Sequence, residues 1–288
     1  MSTLEMHGEE SEKTRESGLL ASDEPRPFDI VNPGGKAPLL LLCDHATRFI
    51  PRSLKSLGLD EAQLCRHIAW DIGIAEVTRR MARRLDAPAV MSHFSRLIVD
   101  PNRLLDNPTL VPEISDGTVV PGNRGLGEAE RAARIETFFR PYHAAIARQI
   151  DTMLAAGAAS GAEGPDGGSG RAPVLVSMHS FTPVMHGLQR PWEIGILWNR
   201  DPRLPRPLME RLRAEGLTVG DNEPYSGADG HGYTQHIHGD RRGLANVLIE
   251  VRQDLIDTQQ GVADWAERLA TTLEAVLGDQ ALYRVEHY

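Results

Sequence analysis

At 288 residues, with 41% hydrophobic and 25% charged side chains, the chain fits one large globular α/β domain rather than a disordered or fibrous protein. A formal net charge of −9 argues against a nucleic-acid-binding surface, although local arginine clusters leave room for a small anionic ligand. The two cysteines, Cys43 and Cys65, form no CxxC pair, so neither a disulfide scaffold nor a cysteine-rich metal site is expected.

Residues 1–27 are polar and charged, lack the order of a signal peptide and cannot bury enough surface to order themselves. With no apolar run of the ~18 residues that a membrane helix needs, the protein is expected to be cytoplasmic, with no membrane partner. Residues 28–288 then form a single domain. The apolar run at 38–43 predicts a strand covered on both faces. A helix is expected from Asp60, as N-cap, to about Arg84, with Leu64, Ile68, Ile72, Ala75, Val77 and Met81 as its apolar positions. Residues 89–91 and 97–99 are strand-like.

A second helix is expected from about Gly127 to Leu154, followed by a flexible Gly/Ala/Ser-rich loop over 155–172. Further strands are predicted at 174–178, 193–198 and 246–251, and further helices over about 205–215 and 261–277. Between them, residues 220–243 are glycine-rich. Strands alternating with helices imply a three-layer α/β/α sandwich with a mostly parallel or mixed central sheet.

In such open sheets, ligands collect beyond the carboxyl ends of the strands. Three predicted strands end there in polar residues: Asp44-His45, His179-Ser180 and Glu250. Two neutral imidazoles and a carboxylate suit one divalent metal ion, zinc first, with iron, cobalt and manganese left open. On this reading His45 and His179 are metal ligands and Glu250 is the acid/base that moves the proton of an attacking water. The stretch from Gly227 to Gly239 interleaves three histidines and a tyrosine with glycines, and reads as a lid that brings Tyr233 or His236 to the substrate.

The segments Asp44-His45-Ala46, residues 67–71 (HIAWD), residues 95–103 (SRLIVDPNR), Met178-His179-Ser180-Phe181 and Ile249-Glu250-Val251-Arg252 resemble, in this order, the N-formylglutamate amidohydrolase family. The resemblance runs from about residue 38 to 256. A more distant likeness to zinc carboxypeptidases rests on His45, Arg96, Asn102-Arg103, His179-Ser180-Phe181 and Glu250-Val251-Arg252, and implies a phosphorylase/hydrolase-like, zinc-exopeptidase-like fold. It implies that Asn102 and Arg103 bind the substrate α-carboxylate and that Arg96 polarises the scissile carbonyl or binds a second carboxylate, with Arg252 placed in the substrate-binding set. Where the carboxypeptidase pattern has a ligand glutamate, this chain has Arg48. The family resemblance offers Asp71, on the expected first helix, as third ligand, and Asp44 is the substitute.

The implied function is metal-dependent hydrolysis of a small-molecule N-acyl amino acid, N-formyl-L-glutamate first. Other readings are another amidase, a carboxypeptidase-like hydrolase, or a non-catalytic ligand-binding protein on the same fold. No Gly-x-Ser-x-Gly elbow and no Gly-x-Gly-x-x-Gly loop points instead to a serine hydrolase or a dinucleotide enzyme. Oligomeric state is not legible.

Overall fold

The computed structural model describes residues 18–159, 171–227 and 232–288. Its strands are β1 (Phe28–Val31), β2 (Leu39–Cys43), β3 (Ala89–Ser92), β4 (Ile114–Ser115), β5 (Thr118–Val119), β6 (Val174–Phe181), β7 (Val184–Met185), β8 (Leu188–Gln189), β9 (Ile194–Leu197), β10 (Val219–Asp221) and β11 (Asn246–Arg252). Seven of them form one sheet in the order β1-β3-β2-β6-β11-β9-β10. The centre, β3-β2-β6-β11, is parallel, β1 runs antiparallel to β3, and β9 runs antiparallel to β11. The sheet is therefore mixed, and β4-β5 and β7-β8 are separate two-residue hairpins.

Alternation along β2 divides the interior in two. Leu39, Leu41 and Cys43 enter one core and Leu40 and Leu42 the other, all fully buried. The helices are α1 (Glu61–Leu64), α2 (Ile74–Arg84), α3 (Glu128–Arg134), α4 (Arg140–Ala159), α5 (Pro205–Ala214), α6 (Tyr233–His238) and α7 (Gln259–Val276). Helices α2, α5 and α7 supply the first core, through residues such as Met81, Leu208 and Leu269. Helix α4 and the turns around Leu57, Phe94 and Leu110 supply the second. Burial on both faces is why the central strands read as continuous apolar runs. No helix among the described residues is long and apolar enough to cross a membrane.

Three local departures from the sequence expectations bear on the site. The helix expected over 60–84 is two helices. Asp60 does cap it, in a capping box with Gln63, but α1 lasts one turn. The Asp71 N–H then donates to the carbonyl of His45, and Gly73 turns the chain at φ 81° before α2 begins. A Cβ on Gly73 would lie 2.3 Å from the Ile256 carbonyl oxygen, so both space and backbone demand glycine. Asp71 thus sits in a pinned turn rather than on a helix.

Residues 97–99, expected as a strand, form a fully buried turn. The Ser95 hydroxyl accepts from Leu97 N–H, and Asn123 and Arg134 donate to the carbonyls of Leu97 and Ile98, so side chains replace the ladder partners. Strand β1, unannounced by the sequence pattern, closes one edge of the sheet.

The expected tail and loop fall partly outside the described residues. Of 1–27, residues 18–27 lie on the domain, with Leu20 buried and Glu24 accepting the Arg52 N–H. Residues 1–17 lie outside. Of 155–172, α4 continues through Ala159 and Ala172 is buried, while 160–170 lie outside.

Candidate active site

Strands β2, β6 and β11 deliver His45, His179 and Glu250 to one edge of the sheet. His179 and Glu250 are register partners on parallel neighbours, so their side chains leave the same face side by side. On the other flank, Glu250 is paired with Gly195. A Cβ there would lie 2.2 Å from the Glu223 carbonyl oxygen, so the glycine lets the β9 and β10 ends close around the site.

His45 Nδ1 lies 3.3 Å and His179 Nδ1 2.9 Å from the same atom, Asp71 Oδ2. Each ring meets a second carboxylate on its far side: His45 Nε2 is 2.8 Å from Asp100 Oδ1, and His179 Nε2 is 2.9 Å from Asp44 Oδ2. The remaining Asp44 oxygen accepts from Tyr142 and Thr234 hydroxyls, at 2.9 and 2.7 Å. All of these carboxylates and imidazoles are buried.

This donor set is built for positive charge. A carboxylate only accepts, whereas a neutral imidazole carries a single N–H, so neither ring can satisfy acceptors on both sides while neutral. Burial would push the His179 imidazole down, but its bonds to Asp44 and Asp71 hold it well above its ordinary value. Burial likewise opposes ionisation of Asp71, and the two imidazoles overcome it and keep the carboxyl far below the usual carboxylate range. A cation among the two Nδ1 atoms and Asp71 meets the same demand, because the Nε2 protons then go to Asp44 and Asp100. Ligand atoms of His45, Asp71 and His179 do lie within 4.8 Å of one another. Outer carboxylates on ligand histidines are the usual means of fixing ring orientation at a metal.

Glu250 is 7% exposed, and its Oε2 is buried without a hydrogen-bond partner. Burial pushes its carboxyl up to about 7, against the pull of the imidazoles. Arg96 spends Nε and Nη2 on Asp100 Oδ2, at 3.0 and 2.7 Å, and leaves Nη1 3.5 Å from Asp71 Oδ1. Asn102 is buried and accepts from Thr234 N–H. Arg103 stands beside it, half-buried. All four line a cavity of about 490 Å³ shared with His45, Asp71 and His179.

The other expected site residues are placed elsewhere. Tyr233 begins α6 and packs its ring on Phe139 and His143, with centroids 5.6 and 5.2 Å away. His236 is half exposed, 3.6 Å from Asp240, at a second cavity. Arg252 donates to Asp254 and to the carbonyls of Arg190, Pro191 and Trp192, which ties the strand end to the loop before β9. Of the expected lid, residues 228–231 lie outside the described residues and 233–238 are helical. Arg48, in the position of the absent glutamate, pairs with Glu61.

Asp44 orients His179 from the far side of the ring, which leaves Asp71 as the shared inner carboxylate. Asp100, which orients both His45 and Arg96, was not singled out from the sequence. It lies inside the 95–103 block, and an acid four residues after Arg96 was the available signal.

A family model for N-formylglutamate amidohydrolase matches residues 37–257. An N-formylglutamate deformylase of Pseudomonas putida is 28% identical over 129 residues, or 41% of this chain and 47% of that protein. The chain thus spans about half the length of the curated relative it matches. The crystal structure of an Agrobacterium tumefaciens gene product is 35% identical, with a TM-score of 0.83 over 90% of this chain and 98% of the other. An N-formylglutamate amidohydrolase from Ralstonia eutropha, 20% identical, shares the fold with a TM-score of 0.65 over 88% of this chain and 97% of its own. The family match encloses all the strand ends that build the site, and the chain belongs to the N-formylglutamate amidohydrolase family.

Proposed function

We propose that this chain hydrolyses the linear amide bond of an N-acyl amino acid, with N-formyl-L-glutamate as the reference substrate and formate and L-glutamate as products. The observation that carries the reading is the convergence of two imidazole Nδ1 atoms on Asp71 beside a buried, unpartnered Glu250. Family membership and the partial match to a deformylase support the same chemistry. His45, Asp71 and His179 would hold one divalent ion, zinc on the strength of the ligand set, which supplies Lewis acidity and lowers the pKa of a water.

The chain's own residues account for the rest. Glu250 takes the proton of the attacking water and returns it to the amide nitrogen as the C–N bond breaks. A carboxyl held near 7 by burial is matched to both halves of that task. Arg96 is fixed by Asp100, and its Nη1, only loosely held by Asp71, would donate to the oxyanion. Arg103 receives the α-carboxylate on a forked guanidinium, with Asn102 beside it.

The test is elemental analysis of the purified protein combined with formate release before and after chelation. About one ion per chain and chelator-sensitive formate release are expected. Metal without turnover of any N-acyl amino acid would sink the hydrolase reading, and absence of metal after reconstitution would sink the metal site.

A further inference from the structure

Most arginines around the cavity already have a carboxylate. Arg96 is bound to Asp100 through Nε and Nη2, and Arg66 meets Asp116 at 2.6 Å. Arg252, at the end of β11, is taken by Asp254 at 2.8 Å. Arg103 and Arg190 differ from these, since neither has a carboxylate within ion-pair distance among the described residues. Arg103 serves the α-carboxylate in the proposed reaction, and Arg190 has no part in it.

Arg190 is nonetheless held firmly beside the site. It follows β8, and its N–H donates to the Pro183 carbonyl at 2.8 Å, which closes the base of the β7-β8 hairpin. Its half-buried guanidinium lies 5.0 Å from the ring centroid of Tyr225 and 5.7 Å from that of Phe181, within the range of cation–π attraction. Nη1 donates to the Tyr225 hydroxyl at 3.1 Å and lies 3.5 Å from the carbonyl and hydroxyl oxygens of Thr182. Tyr225, Phe181 and Thr182 all line the cavity shared with His179 and Glu250. The positive charge of Arg190 therefore stands one side chain behind that wall.

This contact sets the direction of the phenol. A guanidinium only donates, so the Tyr225 oxygen accepts from Arg190 and its own O–H is aimed elsewhere. Burial, with Glu250 adding to it, holds the phenol above its ordinary value against the pull of Arg190 and Arg96, so it stays a neutral donor. A donor O–H backed by a guanidinium that has no counter-ion suits an incoming anion: the cation polarises the hydroxyl and offsets the charge that arrives.

We infer that Tyr225 and Arg190 form the receptor for a second substrate carboxylate, that of the side chain of an acidic N-acyl amino acid. Tyr225 touches the carboxylate through its O–H, and Arg190 acts through Tyr225 as a positioning residue. The inference rests on the proposed amide hydrolysis and assigns the residues that read the side chain. Two guanidiniums without carboxylate partners, Arg103 and Arg190, then answer two carboxylates.

The metal-loaded protein and its Arg190→Gln, Arg190→Lys and Tyr225→Phe variants are assayed on N-formyl-L-glutamate and on N-formyl-L-glutamine, which has the same shape without the charge. The parent protein should favour the glutamate in kcat/KM by about 10–100-fold, the scale of a hydrogen bond to a charged group in a site built for it. Arg190→Gln should remove at least about tenfold of that ratio, mostly through KM, and Arg190→Lys should restore part of it by keeping the charge without the fork. Tyr225→Phe should narrow the ratio as well. A merely structural role would lower both substrates alike. An unchanged ratio in either well-folded variant, Arg190→Gln or Tyr225→Phe, or a parent protein without preference, overturns the inference; if Arg190→Gln does not fold, Tyr225→Phe decides. Turnover of neither compound by the parent protein defeats the hydrolase reading, and calorimetry with the same two compounds then carries the test. Tighter binding of N-formyl-L-glutamate that Arg190→Gln abolishes upholds the receptor, and equal binding or none overturns it.

Discussion

His45 and His179 are buried between carboxylates, whereas half-buried His143 and buried His238 sit against aromatic rings and each other. In the second pair, His143 Nε2–H donates to the Pro101 carbonyl at 2.9 Å, so Nδ1 is left to accept from His238 Nε2–H at 3.0 Å. Phe139, Tyr142 and Tyr233 surround His143, and His238 stacks on it. Asp44 pulls against burial too weakly to offset it, and burial pushes His143 down to about 4 and His238 to about 3. The first pair is more deeply buried, yet Asp44 and Asp71 hold His179 well above its ordinary value. Burial therefore does not decide what a histidine is for. The partner beyond the ring bears on it: a carboxylate there favours a positive charge, as a proton or a bound cation, and a carbonyl there leaves the ring neutral.

That contrast can be broken most severely at the first pair. His179→Ala should abolish both bound metal and turnover while His238→Asn keeps both; elemental analysis of the two proteins side by side checks this, and metal retained by His179→Ala refutes the assignment. Glu250→Gln should lower kcat by about 10²–10⁴ with metal content unchanged, the usual scale for a lost acid/base. Full activity in that variant would remove Glu250 from the reaction. Asp100→Asn weakens the carboxylate behind His45, so metal affinity should fall by about 10–100-fold, measured by competition with a chromogenic chelator. An affinity equal to that of the parent protein would mean that Asp100 serves Arg96 alone.

Arg103→Ala should raise KM by about 10–100-fold with kcat largely spared, since a hydrogen bond to a charged group contributes about 1.5–3 kcal/mol. An unaltered KM would place the carboxylate elsewhere. The least effect on catalysis is expected at the second pair, where the signature is stability against acid. Folded values below the usual ~6.5 mean that the unfolded chain takes up protons first. Stability is therefore complete above about pH 6.5 and is lost as pH falls toward 4 and then 3. His238→Asn should flatten that fall by roughly 1–3 kcal/mol between pH 6.5 and 4. Urea midpoints across this range read it, and parallel curves for the two proteins would refute the neutral burial of the pair.

The apolar runs at 39–43, 174–178 and 246–251 could be read as central strands because residues covered on both faces leave no polar alternation to misinterpret. Their polar ends then indicated His45, His179 and Glu250 without any coordinates. The break between α1 and α2 was less legible, since the apolar spacing through Ile68 and Ile72 is compatible with a helix. What ends the helix is a set of long-range bonds: Asp71 N–H to His45, Ser95 hydroxyl to Ala69, and Ser180 hydroxyl to Ile72. Likewise the glycine- and histidine-rich stretch before Gly239 has loop composition, yet α6 forms there. Thr234 is bound to Asn102 and Asp44, and His238 to His143.

By itself the sequence determined the layered α/β architecture, the strand ends that carry the two imidazoles and Glu250, and the family resemblance, because hydrophobic period and local motif are properties of neighbouring residues. Only the tertiary structure decided which carboxylate faces both imidazoles, which ones stand behind them, and that Tyr233, His236 and Arg252 are not among the residues lining the cavity with Glu250. Those outcomes depend on pairings such as Asp44 with His179 and Asp71 with His45, between residues distant in the chain. Burial makes each pairing energetically decisive, because an ionised group in the interior must find its partner wherever the fold brings one.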